Sequence, residues 1–203
     1  MRGGIGNVDP SQQLAADIQA VGHLGRQIDG LRYPVNLMVI LDGHLAGTLY
    51  QTATAEDFAF LDNTTMALAY QLQENPSRVL IGPEAGADQL GLALYHGAGK
   101  ITALADNSSL AHIKKVDMAS RMGDPYGRPE VSLLTATLRG YLHNSETLYS
   151  LIDLPMTGED FGGLKSAATN ALLTLDTLRM CFSQLAEDGL LSITTHAHVP
   201  PRE

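Results

Sequence analysis

Gly82-Pro83-Glu84-Ala85-Gly86 follows the short apolar run RVLI and precedes the helix-spaced stretch DQLGLALY, which makes it the first turn of a strand-turn-helix unit. Glycines at both ends of such a turn let a backbone approach a ligand closely and take dihedrals that a Cβ disfavours. Carboxylates recur at comparable places further on: Asp106 just past KITALA, and Asp153, Glu159 and Asp160 at and beyond the end of YSLIDL. A carboxylate can accept hydrogen bonds or take a proton. It acts as a base only when that proton lies within hydrogen-bond reach.

The elements that must position these residues can be read from periodicity. Leu14, Ile18, Val21 and Leu24 are at helical spacing over residues 11 to 29, behind Ser11 as N-cap. VNLMVILDG and LAGTLYQ read as a β-hairpin turning at Asp42 and Gly43, where Asp42 is a turn residue. DFAFLDNTTMALAYQLQ reads as one helix ending at the turn NPSR. From Arg78 the chain alternates: strand RVLI, a helix through Leu90, Ala93 and Leu94, strand KITALA, a helix over 108 to 120, strand VSLLT, a short helix over 136 to 143, and strand TLYSLIDL. Leu175, Leu178, Phe182 and Leu185 then form an apolar helical stripe, and EDG turns into a last strand, LLSIT. Repeated β-α units with right-handed crossovers give an α/β, Rossmann-like parallel sheet with helices on both faces, preceded by the N-terminal helix and hairpin. The expected division is residues 1–75 for the N-terminal helix, hairpin and helix, and 76–203 for the Rossmann-like part. In such sheets ligands lie beyond the carboxyl ends of the strands, where the strand order reverses. That singles out residues 82–88, 105–107, 135–137 and 153–163.

The 203 residues are 44% hydrophobic and 17% charged, enough to bury a sizeable core. A net charge of −9 with no basic run argues against nucleic acid, whose phosphates are bound by clustered Lys and Arg. The single cysteine, Cys181, sits among helix-spaced apolar residues and reads as a buried structural thiol, consistent with a reducing compartment. No apolar run approaches the ~20 residues that span a bilayer, so the expectation is a soluble chain. His196 and His198 share a strand face but lack a third ligand nearby, so no metal is expected. His96 and His143 lie at helix ends, where an imidazole commonly meets free carbonyls. Neither a G-x-S-x-G elbow nor a P-loop is present.

The order of hairpin with LDG, helix with DFAFLD, then RVLIGPEAGADQLGLALYHGAGKITAL, RPEV, LYSLI and LAEDGLLSI resembles the spermidine synthase family, within the S-adenosylmethionine-dependent methyltransferase folds. The resemblance covers roughly residues 12 to 203, and HVPPRE matches a point where those domains usually continue, so the chain is expected to be a fragment. It implies S-adenosylmethionine or its decarboxylated form as cofactor, and aminopropyl or methyl transfer to a small amine.

The residues that would carry this activity depart from the family pattern at four places. The family's G-x-G-G-G turn is here Gly82-Pro83-Glu84-Ala85-Gly86. Glu84 either holds the cofactor's amino group or, as the preferred expectation, points to solvent and narrows the pocket. The ribose-binding acid aligns with Ala105, and Asp106 is one residue late, hence on the other strand face. The adenine-recognising acid aligns with Ala136. The catalytic aspartate aligns with Pro155, and the usual strand aspartate with Ser150, leaving Asp153 and Asp160 as substitutes. Each ribose hydroxyl or adenine amine left unpaired costs about 1 to 3 kcal/mol. The expectation is a largely degenerate cofactor site, in which Gly82, Glu84, Gly86 and Asp106 are the residues left to hold a cofactor if one binds. The partners that fit are a small molecule or a protein, within a membrane-associated assembly or a homodimer, in the cytoplasm or on the cytoplasmic face of a membrane.

Overall fold

The computed structural model describes residues 33–41, 44–84, 86–155 and 174–194. The expected N-terminal helix over 11 to 29, the Asp42-Gly43 turn, Glu159, Asp160, His196 and His198 lie outside the described residues.

The hairpin is present: β1 (Asn36–Leu41) pairs antiparallel with β2 (His44–Tyr50). The parallel sheet is built from β3 (Arg78–Ile81), β4 (Lys100–Ala105), β5 (Val131–Thr135), β6 (Tyr149–Leu154) and β7 (Leu185–Ile193) in the order β5-β4-β3-β6-β7. Every neighbouring pair is parallel. The chain runs outward from β3 through β4 to β5, then crosses back to β6, so the order reverses between β3 and β6. This is the α/β, Rossmann-like arrangement the strand periodicity implies. Strand side chains alternate faces, which divides the core in two. Val79, Ile81, Ile101, Ala103, Ala105, Val131, Leu133 and Leu151 join one apolar cluster with Leu49, Tyr50, Phe58 and Leu90. Leu80, Leu104, Ile152 and Leu154 join the other, with Leu138, Leu142 and Cys181.

Helices cover both faces: α2 (Asp88–Tyr95) packs on the first, and α4 (Leu138–Asn144) and α5 (Leu175–Ser183) on the second. Gly91 of α2 lies so close to the buried Phe58 ring that an added Cβ would overlap it. Gly91→Ala is therefore expected to lower stability by about 1 to 3 kcal/mol through overpacking, despite alanine's better helix propensity. A urea melt checks this, and an unchanged midpoint would show that Phe58 yields freely.

Three segments differ from the expected elements. The helix read over 57 to 73 is two 3-10 segments, Ala55–Asn63 and Thr65–Ala67, followed by a short α1 (Leu68–Leu72). The break is at Thr64, which is extended (φ −97°, ψ 161°) and whose hydroxyl donates to the Leu61 carbonyl at 2.7 Å, competing with the helix ladder. The helix read over 108 to 120 starts as α3 (Ser108–His112), capped by Asn107, and widens into a π-turn, Ile113–Asp117, before a 3-10 turn at Ala119–Arg121. In α5, Leu175 and Phe182 are exposed and Leu185 already belongs to β7, while Thr177 and Cys181 are the residues buried. β7 begins four residues before Gly189, and its register against β6 slips across Glu187-Asp188-Gly189, so EDG is an irregularity within the strand, not the turn before it. Cys181 is buried as expected, and burial pushes its thiol up to about 11.

Candidate functional site

The Gly82–Gly86 turn sits at the reversal of strand order. Ile81 of β3 is in register with Asp153 of β6, and the Gly82 amide donates to the Asp153 carbonyl at 3.1 Å. On the other side the Glu84 amide donates to the Leu104 carbonyl at 2.8 Å, running the turn along β4. Gly82, Glu84, Gly86 and Asp153 are thus brought together, and the first three follow from the turn's own sequence.

Both glycines have internal reasons. A Cβ on Gly86 would stand 2.7 Å from the Thr48 amide nitrogen, and the Ala87 amide donates to the Thr48 carbonyl at 2.7 Å, so β2 of the hairpin lies directly on the turn. A Cβ on Gly82 would meet Leu104 at 3.0 Å.

Glu84 does not point to solvent: it is 2% exposed. The reason is a partner that the sequence reading missed. Lys114, 1% exposed, donates from Nζ to the carbonyls of Glu84 (3.1 Å) and Gly86 (2.8 Å). The Tyr126 hydroxyl donates to the same Gly86 carbonyl at 2.7 Å and to Glu84 Oε1 at 3.3 Å, and Lys114 Nζ lies 5.1 Å from the centre of the Tyr126 ring. Glu84 Oε2 has no hydrogen-bond partner among the described residues. Burial pushes the Glu84 carboxyl up to about 7, against the Lys114 charge and the Tyr126 hydrogen bond, which pull it down. Burial also lowers the Lys114 ammonium below its ordinary range, with Glu84, Asp88 and Asp106 opposing. Burial, then the Glu84 charge, raises the Tyr126 phenol.

The remaining carboxylates lie around this cluster in different settings. Asp153 is 1% exposed; its Oδ2 accepts from the Tyr70 hydroxyl at 2.9 Å, and Oδ1 has no hydrogen-bond partner among the described residues. Burial pushes its carboxyl up to about 6, opposed by hydrogen bonding from Tyr70 and then Ser192. Asp88, at the start of α2, accepts from the Tyr50 hydroxyl at 2.5 Å, and burial raises its carboxyl. Asp106 is exposed beyond β4, while Ala105 is buried in the first core cluster. The two therefore differ as strand alternation requires. Pro155 is buried at the end of β6, and Ala136 is half-buried. The Ser150 hydroxyl accepts from the Arg78 amide (3.1 Å) and donates to the Arg78 carbonyl (2.9 Å), tying β6 to the start of β3.

His96 meets a carboxylate in place of helix-end carbonyls: its Nε2 lies 2.7 Å from Asp62 Oδ1. His143 is exposed in the last turn of α4. Among the described residues no group of three His, Cys, Asp or Glu is placed to hold a metal, and no helix is long and apolar enough to cross a membrane.

No protein-family model and no curated protein matches the chain. Among solved structures it is similar to a spermidine synthase crystallised with the transition-state analogue AdoDATO, at 17% identity and a TM-score of 0.50, covering 68% of this chain and 43% of that one. The spermidine synthase of Thermotoga maritima gives 16% identity and a TM-score of 0.50, over 68% and 44% of the two chains. The likeness is one of fold. The chain spans less than half the length of either synthase.

Proposed function

We propose that this is a spermidine-synthase-like domain with a largely degenerate cofactor site, working as a non-catalytic binding or scaffold module. The observation that carries the reading is the occupation of the Gly82–Gly86 turn by the chain's own groups. The carbonyls of Glu84 and Gly86 already receive the Lys114 ammonium, with the Tyr126 hydroxyl also on Gly86. A cofactor's cationic amino group would have to displace a buried, doubly hydrogen-bonded ammonium, and bonds of that kind are worth about 1.5 to 3 kcal/mol each. The space beside Gly86 is taken by the Thr48 backbone. Ala105 and Ala136 supply no carboxylate for a ribose or an adenine.

One observation favours an active S-adenosylmethionine-type transferase: Asp106 is exposed at the carboxyl end of β4, free to reach a ligand above the turn. The net charge of −9 would also suit a cationic acceptor such as a polyamine. Against it, the candidate base Asp153 is buried and held by Tyr70.

Calorimetric titration of the purified chain with S-adenosylmethionine and, separately, with its decarboxylated form separates the two readings. The expected result is no saturable heat through the millimolar range. Saturation at micromolar ligand, abolished by Asp106→Ala, would overturn the proposal and establish a transferase site.

A further inference from the structure

At the opposite, amino end of the strands lies a groove unrelated to the Glu84 turn. Its volume is about 250 Å³, and it is lined by the first residues of two adjacent strands, Arg78 and Lys100, with Glu130 immediately before a third. Around these charges stand the hydroxyls of Thr102, Ser132, Tyr141, Thr147 and Tyr149. Thr102 and Ser132 are register partners on β4 and β5.

The chemistry of this lining is selective. In a chain of net charge −9, two cations in one groove are a local reversal of sign. Neither Arg78 nor Lys100 takes part in an ion pair among the described residues. Arg78 is held in place through its backbone, which the Ser150 hydroxyl grips at both N–H and C=O, so its guanidinium is not needed for the fold. The Tyr141 and Tyr149 hydroxyls lie 2.6 Å apart. Tyr149 is buried and also hydrogen-bonded to Thr102 and Ser145, so Tyr141 is the half-buried phenol that faces the groove.

We propose that this groove binds a phosphomonoester of a small polyol. The two cations match a doubly charged phosphate, for which Arg and Lys are the usual partners. The hydroxyls donate to its remaining oxygens. Glu130 cannot face the phosphate without repulsion, and instead accepts from hydroxyls on the ligand's carbon skeleton. The groove is half open to solvent, and its volume of about 250 Å³ leaves room for a glycerol- or triose-sized phosphate. Both cations are solvent-exposed, so screening limits the affinity to the millimolar range.

The test is a ¹⁵N–¹H NMR titration of the whole chain with glycerol 3-phosphate, with inorganic phosphate and sodium chloride as parallel arms at matched ionic strength. Saturable shifts are expected at the amides of Ile101, Thr102 and Ser132 with glycerol 3-phosphate, weaker binding of inorganic phosphate, and nothing specific with chloride. Lys100→Met and Arg78→Gln should each weaken binding by about two- to fivefold, with the remaining resonances unmoved to certify the fold. Tyr141→Phe should weaken it less. Absence of saturation, or equal binding by the Lys100→Met/Arg78→Gln double variant, would overturn the site. Equal binding of the two phosphates would overturn the polyol assignment. The outcome is independent of whether S-adenosylmethionine binds at the other end of the sheet.

Discussion

Lys114→Met is expected to lower the unfolding temperature by roughly 6 to 20 °C. The substitution keeps the length of the side chain but removes the charge that bonds the Glu84 and Gly86 carbonyls. It also removes the charge that favours the ionised Glu84, leaving a neutral carboxyl in a dry site where Oε2 already lacks a partner among the described residues. The two charged hydrogen bonds lost from this buried ammonium are worth about 1.5 to 2.5 kcal/mol each, about 3 to 5 kcal/mol together, and for a chain of this size each kcal/mol moves the transition by about 2 to 4 °C. The identity of the cost is tested by adding Glu84→Gln. With the carboxylate neutralised, loss of the ammonium should hurt less, giving a coupling of about 0.5 to 3 kcal/mol in a double-mutant cycle. Additive effects would mean that the ammonium serves the turn carbonyls alone.

The second large effect is on pH. In the folded chain the Glu84 carboxyl titrates at about 7 against an ordinary 4.5, and Asp153 at about 6 against 3.8. Between the ordinary and the raised value the folded chain holds a proton that the unfolded chain has released. Stability is therefore full below the ordinary value and falls as pH rises, by about 1.4 kcal/mol per pH unit and per group. For Glu84 alone the loss amounts to about 3 kcal/mol across the window. Urea melts at about pH 5 and about pH 7.5 should show the more acidic sample as the more stable one. Glu84→Gln should remove roughly two-thirds of that difference, since between these pH values the Glu84 window spans about two units and the Asp153 window about one. A parent more stable at the higher pH would contradict burial of both carboxyls.

Much of the architecture was legible because buried parallel strands leave a plain mark: RVLI, KITALA, VSLLT and YSLIDL are short apolar runs bounded by turn residues, and each became a strand. The hairpin was legible for the same reason. The 3-10 segments were not, since Phe58, Leu61 and Met66 satisfy a helical pattern, and only the local competition of the Thr64 hydroxyl breaks it. At the site, the position of the turn and of Asp153 followed from strand order, but the fate of Glu84 did not. Lys114 lies beside Ile113, and the ordinary expectation buries the isoleucine and solvates the lysine. The π-turn reverses this: Ile113 is exposed and Lys114 buried. Its reason lies 28 and 30 residues away, in two carbonyls. Tyr126, in the loop DPYG, is fixed by the same distant turn. No local pattern encodes either contact.

The seat of Thr48 beside Gly86 bears on how far this molecule is modular. Leu49 and Tyr50, next along β2, belong to the same apolar cluster as Val79 and Leu90, and the Ala87 amide is completed by the hairpin alone. A fragment starting at Arg78 would bring the Gly82–Gly86 turn into water with an orphaned Ala87 amide and a bare apolar wall. For expression or for grafting, hairpin and sheet form one unit of inheritance, and a side chain at position 86 becomes acceptable only in a chain whose hairpin has moved first.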